Sequence, residues 1–434
     1  MITQPHLQAP LLSPSPSNLN PTGHNVPTLN LPHLGSFYAL GDSYSAGIGA
    51  NCSWVTDDYD PTGSCLKCKG AYPYQIIEIA NSSASTSRSS PHQTPETKSN
   101  SSPENGNETQ VYHLGCTGAS ISDILTVGWD NRTSQLELMS EAISRGEIGT
   151  WATLSVGGND VGFANVVADC VMLNTASCES SLNATEAKVR DPNLVAQLVE
   201  TYLSILEIAP VQDFTLIVTS YARFFNEVTE ECDEHFFIRG RYLTREFRGR
   251  LNRMIEGLNT LIRVAVAIVQ MQLVFGGSRM GVFFEDWDGG FEGHRFCEVG
   301  EEGDTRSWER DAWFFTVAGD DILEGGKMVK DEEASGPMGE GRVDFERLAR
   351  ECAGEAWVER ELIGTDRLLC TWARTLEQEK LRGEGDEGRD DGEFERWSKT
   401  VYPWYVKKAM HPKTIAHAEL GRRIYEKWSS GEYA

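Results

Sequence analysis

Short apolar or β-branched runs that end in small-residue turns, with helical stretches between them, constrain this chain more than any other feature. "FYAL" (Phe37 to Leu40) runs into Gly41-Asp42-Ser43, and "WATLSV" (151–156) into Gly157-Gly158-Asn159-Asp160. "FTLIVTSYA" (214–222) and "GVFFEDWD" (281–288) are of the same type, and "AYPYQIIEIA" (71–80) precedes another in "VYHLGCTGAS" (111–120). Runs of this length and content read as buried strands. Leu243, Phe247, Leu251, Ile255, Leu258 and Ile262 step by three or four. That spacing gives a long helix one apolar face, with Arg245, Arg248 and Glu256 off it. "KTIAHAELGRRIYEKW" (413–428) reads as a closing helix. Alternation of strand and helix implies an α/β fold, a parallel sheet with helices on both faces.

The sheet edge to which such a fold delivers its loops carries the chemistry. Ser43, Gly118, Asn159 and Asp160 each lie just past a predicted strand or in its loop, and ligands of open α/β sheets bind at the carboxyl ends of the strands. Gly41 allows a sharp turn, and Ser45, Ala46, Gly47 and Gly49 leave room for a substrate. Acyl transfer needs a nucleophile, a base and donors for a developing oxyanion. Ser43 offers the nucleophile. The backbone N–H groups of Ser43 and Gly118 and the Asn159 amide offer the donors, with Gly115 a neighbouring alternative to Gly118.

Charge narrows the partners. The 434 residues carry 39 basic and 64 acidic side chains, a formal net charge of −25, which repels nucleic acid phosphates and anionic membrane surfaces. The longest unbroken apolar run of note, Val264 to Val269, falls far short of the ~18 residues of a membrane span. No nucleic-acid partner and no transmembrane segment are expected, and the chain is expected to be a monomer.

Ten cysteines, an even number, suit an oxidising compartment and permit a set of disulfides. Cys65 and Cys68 have zinc-like spacing, but no second pair completes four ligands, so no zinc site is expected. Asn-x-Ser/Thr sequons at Asn51, Asn81, Asn100, Asn107, Asn131 and Asn183 agree with a secreted glycoprotein. Met1 to Pro32 is polar and proline-rich, with neither a basic n-region nor an apolar h-region. Secretion is therefore expected together with a start that is missing or misassigned.

Composition divides the chain into a disordered leader over 1–33 and one catalytic domain over 34–430. A low-complexity insertion is expected over 81–110 and an acidic one over about 300–398. His294 in "GHRFCE" is the other histidine that invites a catalytic role, but beside Cys297 it reads as structural.

Taken together, "GDSYSAG" (41–47), "CTGAS" (116–120), "GGND" (157–160) and "AMHPK" (409–413) resemble the four ordered blocks of the SGNH (GDSL-type) hydrolases. "VGGNDVGF" (156–163), "SYARFFN" (220–226) and "GHRFCE" (293–298) resemble their secreted fungal and actinobacterial esterase-lipase branch. The resemblance implies a three-layer α/β/α sandwich around a five-stranded parallel sheet, and a metal-free ester hydrolase acting on a small-molecule, lipid or carbohydrate ester. It implies Ser43 as nucleophile, His411 as general base, and Ser43, Gly118 and Asn159 as the oxyanion hole. Asp42 would fix the turn and Asp160 would orient Asn159. It further implies the pairs Cys170–Cys178 and Cys232–Cys297, Cys116 with one of Cys52, Cys65 or Cys68, and Cys352–Cys370. One position departs from the pattern: the family places an Asp three residues before the histidine, and this chain has Lys408. A Ser43–His411 dyad follows, with a backbone carbonyl, most simply that of Lys408, orienting the imidazole. The same departure favours the alternative, a secreted binding protein that keeps the fold without turnover. A purely structural glycoprotein would leave Ser43, Asn159 and His411 without a role. Short to medium acyl esters are the expected substrates, because no long amphipathic lid is evident.

Overall fold

Five strands, β1 (Phe37–Gly41), β2 (Val111–His113), β3 (Trp151–Ser155), β4 (Thr215–Thr219) and β5 (Gly281–Glu285), form one parallel sheet in the order β2-β1-β3-β4-β5. The computed structural model describes residues 34–88, 109–128, 133–172, 174–237, 241–299, 311–316, 320–323, 325–329 and 408–433. All of them belong to the unit Leu34–Ala434. Among the described residues the α-helices are α1 (Ser43–Ala46), α2 (Tyr72–Arg88), α3 (Ile121–Leu125), α4 (Gln135–Ser144), α5 (Gly158–Val161), α6 (Phe163–Val166), α7 (Cys178–Lys188), α8 (Pro192–Glu207), α9 (Arg245–Phe275) and α10 (Thr414–Ser430).

Strand periodicity sorts the sheet into two faces. Trp151 stacks on Phe37 with centroids 4.1 Å apart and meets Trp428 of α10, while Thr153 takes the Tyr72 hydroxyl of α2 at 2.9 Å. This face lies under α2 and α10. On the other, Phe284 lies beneath the Arg263 guanidinium of α9, which packs along β5 and α8. The fold is a three-layer α/β/α sandwich, as the alternation of elements requires. Helix α8, which the strand-centred reading passed over, has a local start signal. The Asp191 carboxylate accepts the Asn193 N–H at 2.9 Å and Pro192 opens the first turn, a cap worth about 1 kcal/mol.

Several boundaries differ from those expected. Helix α2 continues to Arg88, past the expected start of the insertion at 81, with the Ser82 and Ser83 hydroxyls returning to the carbonyls of Glu78 and Ile79. At the other end Thr109 is buried and bonds the Leu34 carbonyl. The acidic insertion expected over about 300–398 includes core: Ala312, Phe314, Phe315 and Ile322 are buried. Composition averaged across that segment concealed these apolar residues among its acids. The leader 1–33, the rest of both insertions, and Cys352 and Cys370 lie outside the described residues.

Helix α9 is long and apolar enough, by length and composition, to cross a membrane. Unbroken runs alone missed this, because polar residues such as Arg263 and Gln270 interrupt the run along the sequence. Leu251, Ile255, Leu258, Ile262, Ala265 and Val269 are buried where the helix packs on β5 and α8, while Val264, Met271, Val274 and Phe275 are exposed.

Candidate active site

In the strand order β2-β1-β3, the connections leaving β1 and β3 go to opposite sides of the sheet, which opens a crevice at their carboxyl ends. Ser43 follows β1 and Asn159 follows β3, with Gly41 and Ser155 in register. Gly41 has φ +131°, and a Cβ there would stand 2.4 Å from the Ser155 carbonyl oxygen, so only glycine lets the chain turn this close to β3. The Gln135 side chain brackets the turn, accepting the Gly41 N–H at 2.7 Å and donating to its carbonyl at 2.8 Å. Asp42 caps α1 by accepting the Tyr44 N–H at 3.0 Å, and it also takes the Ser155 hydroxyl at 2.8 Å. Burial raises its carboxyl to about 6 against these hydrogen bonds.

His411 arrives from the opposite end of the chain, in the turn before α10. Its N–H closes the turn on the Lys408 carbonyl at 3.0 Å. Residues 313–315 hold the turn in antiparallel fashion: Met410 N–H donates to the Phe315 carbonyl at 2.8 Å, Phe315 N–H to that of His411 at 2.9 Å, and Lys413 N–H to that of Trp313 at 2.7 Å. His411 Nε2 stands 2.8 Å from Ser43 Oγ, across 368 positions of sequence. His411 Nδ1 stands 3.1 Å from the Ala409 carbonyl. A carbonyl only accepts, so Nδ1 carries the proton and Nε2 is left to accept from the Ser43 hydroxyl. The Ala409 carbonyl is therefore the direct partner of Nδ1, and the Lys408 carbonyl, which accepts the His411 main-chain N–H, also favours the protonated ring. Lys408 itself is buried, with its ammonium 4.6 Å from the Phe315 ring centroid. Among the described residues no carboxylate hydrogen-bonds the His411 ring. Burial lowers its pKa to about 4, and the Ala409 and Lys408 carbonyls offset only part of that.

The candidate oxyanion donors Ser43, Gly118 and Asn159 come from three loops and line one cavity. Gly118 has φ +93° and lines the same cavity as Ser43, Asn159 and His411. Among the described residues no acceptor takes the Ser43 or Gly118 N–H. Gly115, the alternative, gives its N–H to the Ala39 carbonyl at 2.9 Å and is occupied by the sheet. Asn159 Nδ2 donates to the Ala119 carbonyl at 2.9 Å, which orients the amide and leaves its second N–H available. Asp160 does not orient Asn159 directly. Its carboxylate accepts the Ile121 N–H at 3.1 and 3.2 Å at the start of α3, where an anion complements the open amides. Burial raises Asp160 to about 6. Asn159 and Asp160 thus both tie their loop to 119–121, next to Gly118.

A cavity of about 80 Å³ opens beside Ser43, walled by Phe163, Val167, Phe224, Ile255 and Met410. Several contributors carried no local signal. Gln135 and Ser155 reach Gly41 and Asp42 only through the tertiary fold, and Tyr221 lay at the end of a predicted strand and within a block quoted for its resemblance, with no site role attached to it. His294 is stacked on Trp313, centroids 4.1 Å apart and planes at 5°, a packing role. Among the described residues no group of His, Cys, Asp or Glu is placed to hold a metal ion.

Among the described residues there are four disulfides: Cys52–Cys68, Cys65–Cys116, Cys170–Cys178 and Cys232–Cys297. Cys65 and Cys68 thus belong to different bridges, and the partner of Cys116 is Cys65.

No family model matches the chain. It is similar to Lipase 1 of Streptomyces coelicolor, 27% identical over 261 residues that make up 60% of this chain and 72% of that protein. It is similar to a lipase of Streptomyces rimosus, 24% identical over 262 residues, 60% of this chain and 73% of the other. Among solved structures it is similar to the extracellular lipase of Streptomyces rimosus, 22% identical with a TM-score of 0.42, covering 65% of this chain and 88% of that one.

Proposed function

We propose, from the premise that this chain is an SGNH (GDSL-type) hydrolase of the esterase-lipase branch and a carboxylic ester hydrolase, that it works through a Ser43 acyl-enzyme. The 2.8 Å approach of His411 Nε2 to Ser43 Oγ at the sheet edge carries this reading. His411 takes the Ser43 proton as the hydroxyl oxygen attacks the ester carbonyl, then returns it to the leaving alcohol. Water deacylates the enzyme by the same route in reverse. The N–H groups of Ser43 and Gly118 and the Asn159 amide receive the oxyanion. The Ala409 carbonyl keeps the imidazole in its working tautomer, replacing the carboxylate that Lys408 displaces.

The acyl chain lies in the apolar cavity. A volume of about 80 Å³ holds roughly five to eight water-sized groups, at ~10–15 Å³ each, which favours short to medium acyl esters. The relatives' lipase activity and the disulfides support a secreted enzyme. A fluorophosphonate probe tests the reading: it should label Ser43, as peptide mass spectrometry would locate, and block turnover of nitrophenyl esters whose rates fall beyond about six acyl carbons. An unlabelled, inactive protein would instead be the binding protein that kept the fold.

The pH profile tests the base. A histidine acts as base only when neutral, and the lowered pKa of about 4 keeps His411 neutral well below the ordinary histidine range. kcat/KM should therefore hold as pH falls through 6.5 and drop as it falls through about 4. A drop near 6 that disappears in Asp42→Asn would assign the limb to the Asp42 carboxyl instead.

A further inference from the structure

The Tyr221 hydroxyl touches both halves of the site. It donates to Asp42 Oδ2 and accepts the Gly158 N–H at 3.1 Å. Asp42 immediately precedes Ser43, and Gly158 immediately precedes Asn159. A phenol has one proton to give, so only one orientation serves both partners. Tyr221 is itself gripped at its main chain. Asn259 of α9 accepts the Tyr221 N–H at 2.9 Å and donates to its carbonyl at 2.7 Å. The ring is wedged edge-on against Tyr44, centroids 5.0 Å apart at 63°. Tyr221, Asp42, Gly158 and Asn259 are all buried.

We propose that Tyr221, held by Asn259, is a positioning residue that sets the distance between the Ser43 nucleophile and the Asn159 donor. The inference rests on the acyl-transfer reading above. An oxyanion donor works only within about 2.7–3.1 Å of the tetrahedral oxygen, and a misplacement of about 1 Å can cost ~100-fold. Ser43 and Asn159 sit on separate loops after β1 and β3, and the phenol spans them. Without its hydroxyl, Asp42 Oδ2 loses a donor and the Gly158 N–H loses its acceptor. Both groups are buried, so the two loops would move to find partners.

The test is Tyr221→Phe, alone and combined with Asn159→Ala. Alone it should lower kcat about 10- to 100-fold, leave KM within about twofold, and slow fluorophosphonate labelling of Ser43 in parallel. In the Asn159→Ala background most of that loss should vanish, because the donor being positioned is already gone. A purely structural tyrosine would give losses that multiply. Unchanged kcat and labelling, or fully multiplicative losses, overturns the inference. If Tyr221→Phe does not fold, Asn259→Asp keeps the shape and one of the two main-chain bonds. It should give a severalfold loss in kcat that disappears in the same background, and an additive loss overturns the inference equally. The two readings fail differently: a wild-type protein that neither labels at Ser43 nor turns over esters defeats the acyl-transfer reading itself.

Discussion

Ser43→Ala lowers ester turnover by about 10⁴-fold or more, and His411→Ala by a similar factor, while both variants keep the wild-type circular dichroism. In the proposed mechanism Ser43 forms the covalent bond, and without it no acyl-enzyme exists for His411 to assist. The double variant should consequently lose no more than either single one. Asn159→Ala keeps nucleophile and base but removes one oxyanion donor, a loss of about 3 kcal/mol or ~100-fold in kcat. That loss belongs in kcat, because the tetrahedral oxygen uses the donor more than the ground-state carbonyl does. Initial rates on an activated ester, with substrate saturation for each variant, give all three values. Turnover above a few per cent of wild type in a folded Ser43→Ala protein removes Ser43 from the mechanism.

Reduction of the disulfides should produce the largest loss of stability. Cys65–Cys116 and Cys232–Cys297 join residues 51 and 65 positions apart, whereas Cys170–Cys178 spans 8. On the loop-entropy account the two long bridges are worth about 4 kcal/mol each and the shortest about 2–3. The Cys65–Cys116 bridge carries a second consequence. The Thr117 N–H bonds the Cys65 carbonyl at 3.0 Å, so the bridge braces the segment that leads into Gly118. Replacing Cys65 and Cys116 together by serine should therefore lower both the denaturation midpoint and kcat, and replacing Cys170 and Cys178 mainly the midpoint by a smaller amount. Urea titrations of each pair, with thiol counting on unreduced protein from an oxidising expression route, measure both effects. Reactive thiols at these positions in the folded protein would rule out the bridges.

The sheet and the principal site blocks were legible because their signals are local. A buried strand declares itself by a short β-branched run, and Gly41-Asp42-Ser43 and Gly157-Gly158-Asn159-Asp160 carry turn and functional groups within a few residues. Where the signal was averaged or interrupted, legibility failed. The core residues Phe314 and Phe315 were hidden in an acidic segment, and the apolar length of α9 was hidden by its polar face. The choice of donor between Gly118 and Gly115 depended on which N–H the sheet consumes. The partner of His411 Nδ1 depended on how the turn at 408–411 spends its carbonyls, and the reach of Asp160 on where α3 begins. Such choices are made by atoms brought together from distant positions, each able to form hydrogen bonds in more than one way. Residue identity determined which groups this chain could use, and the packing of β1 against β3, with α10 arriving from the far end, decided which of them meet.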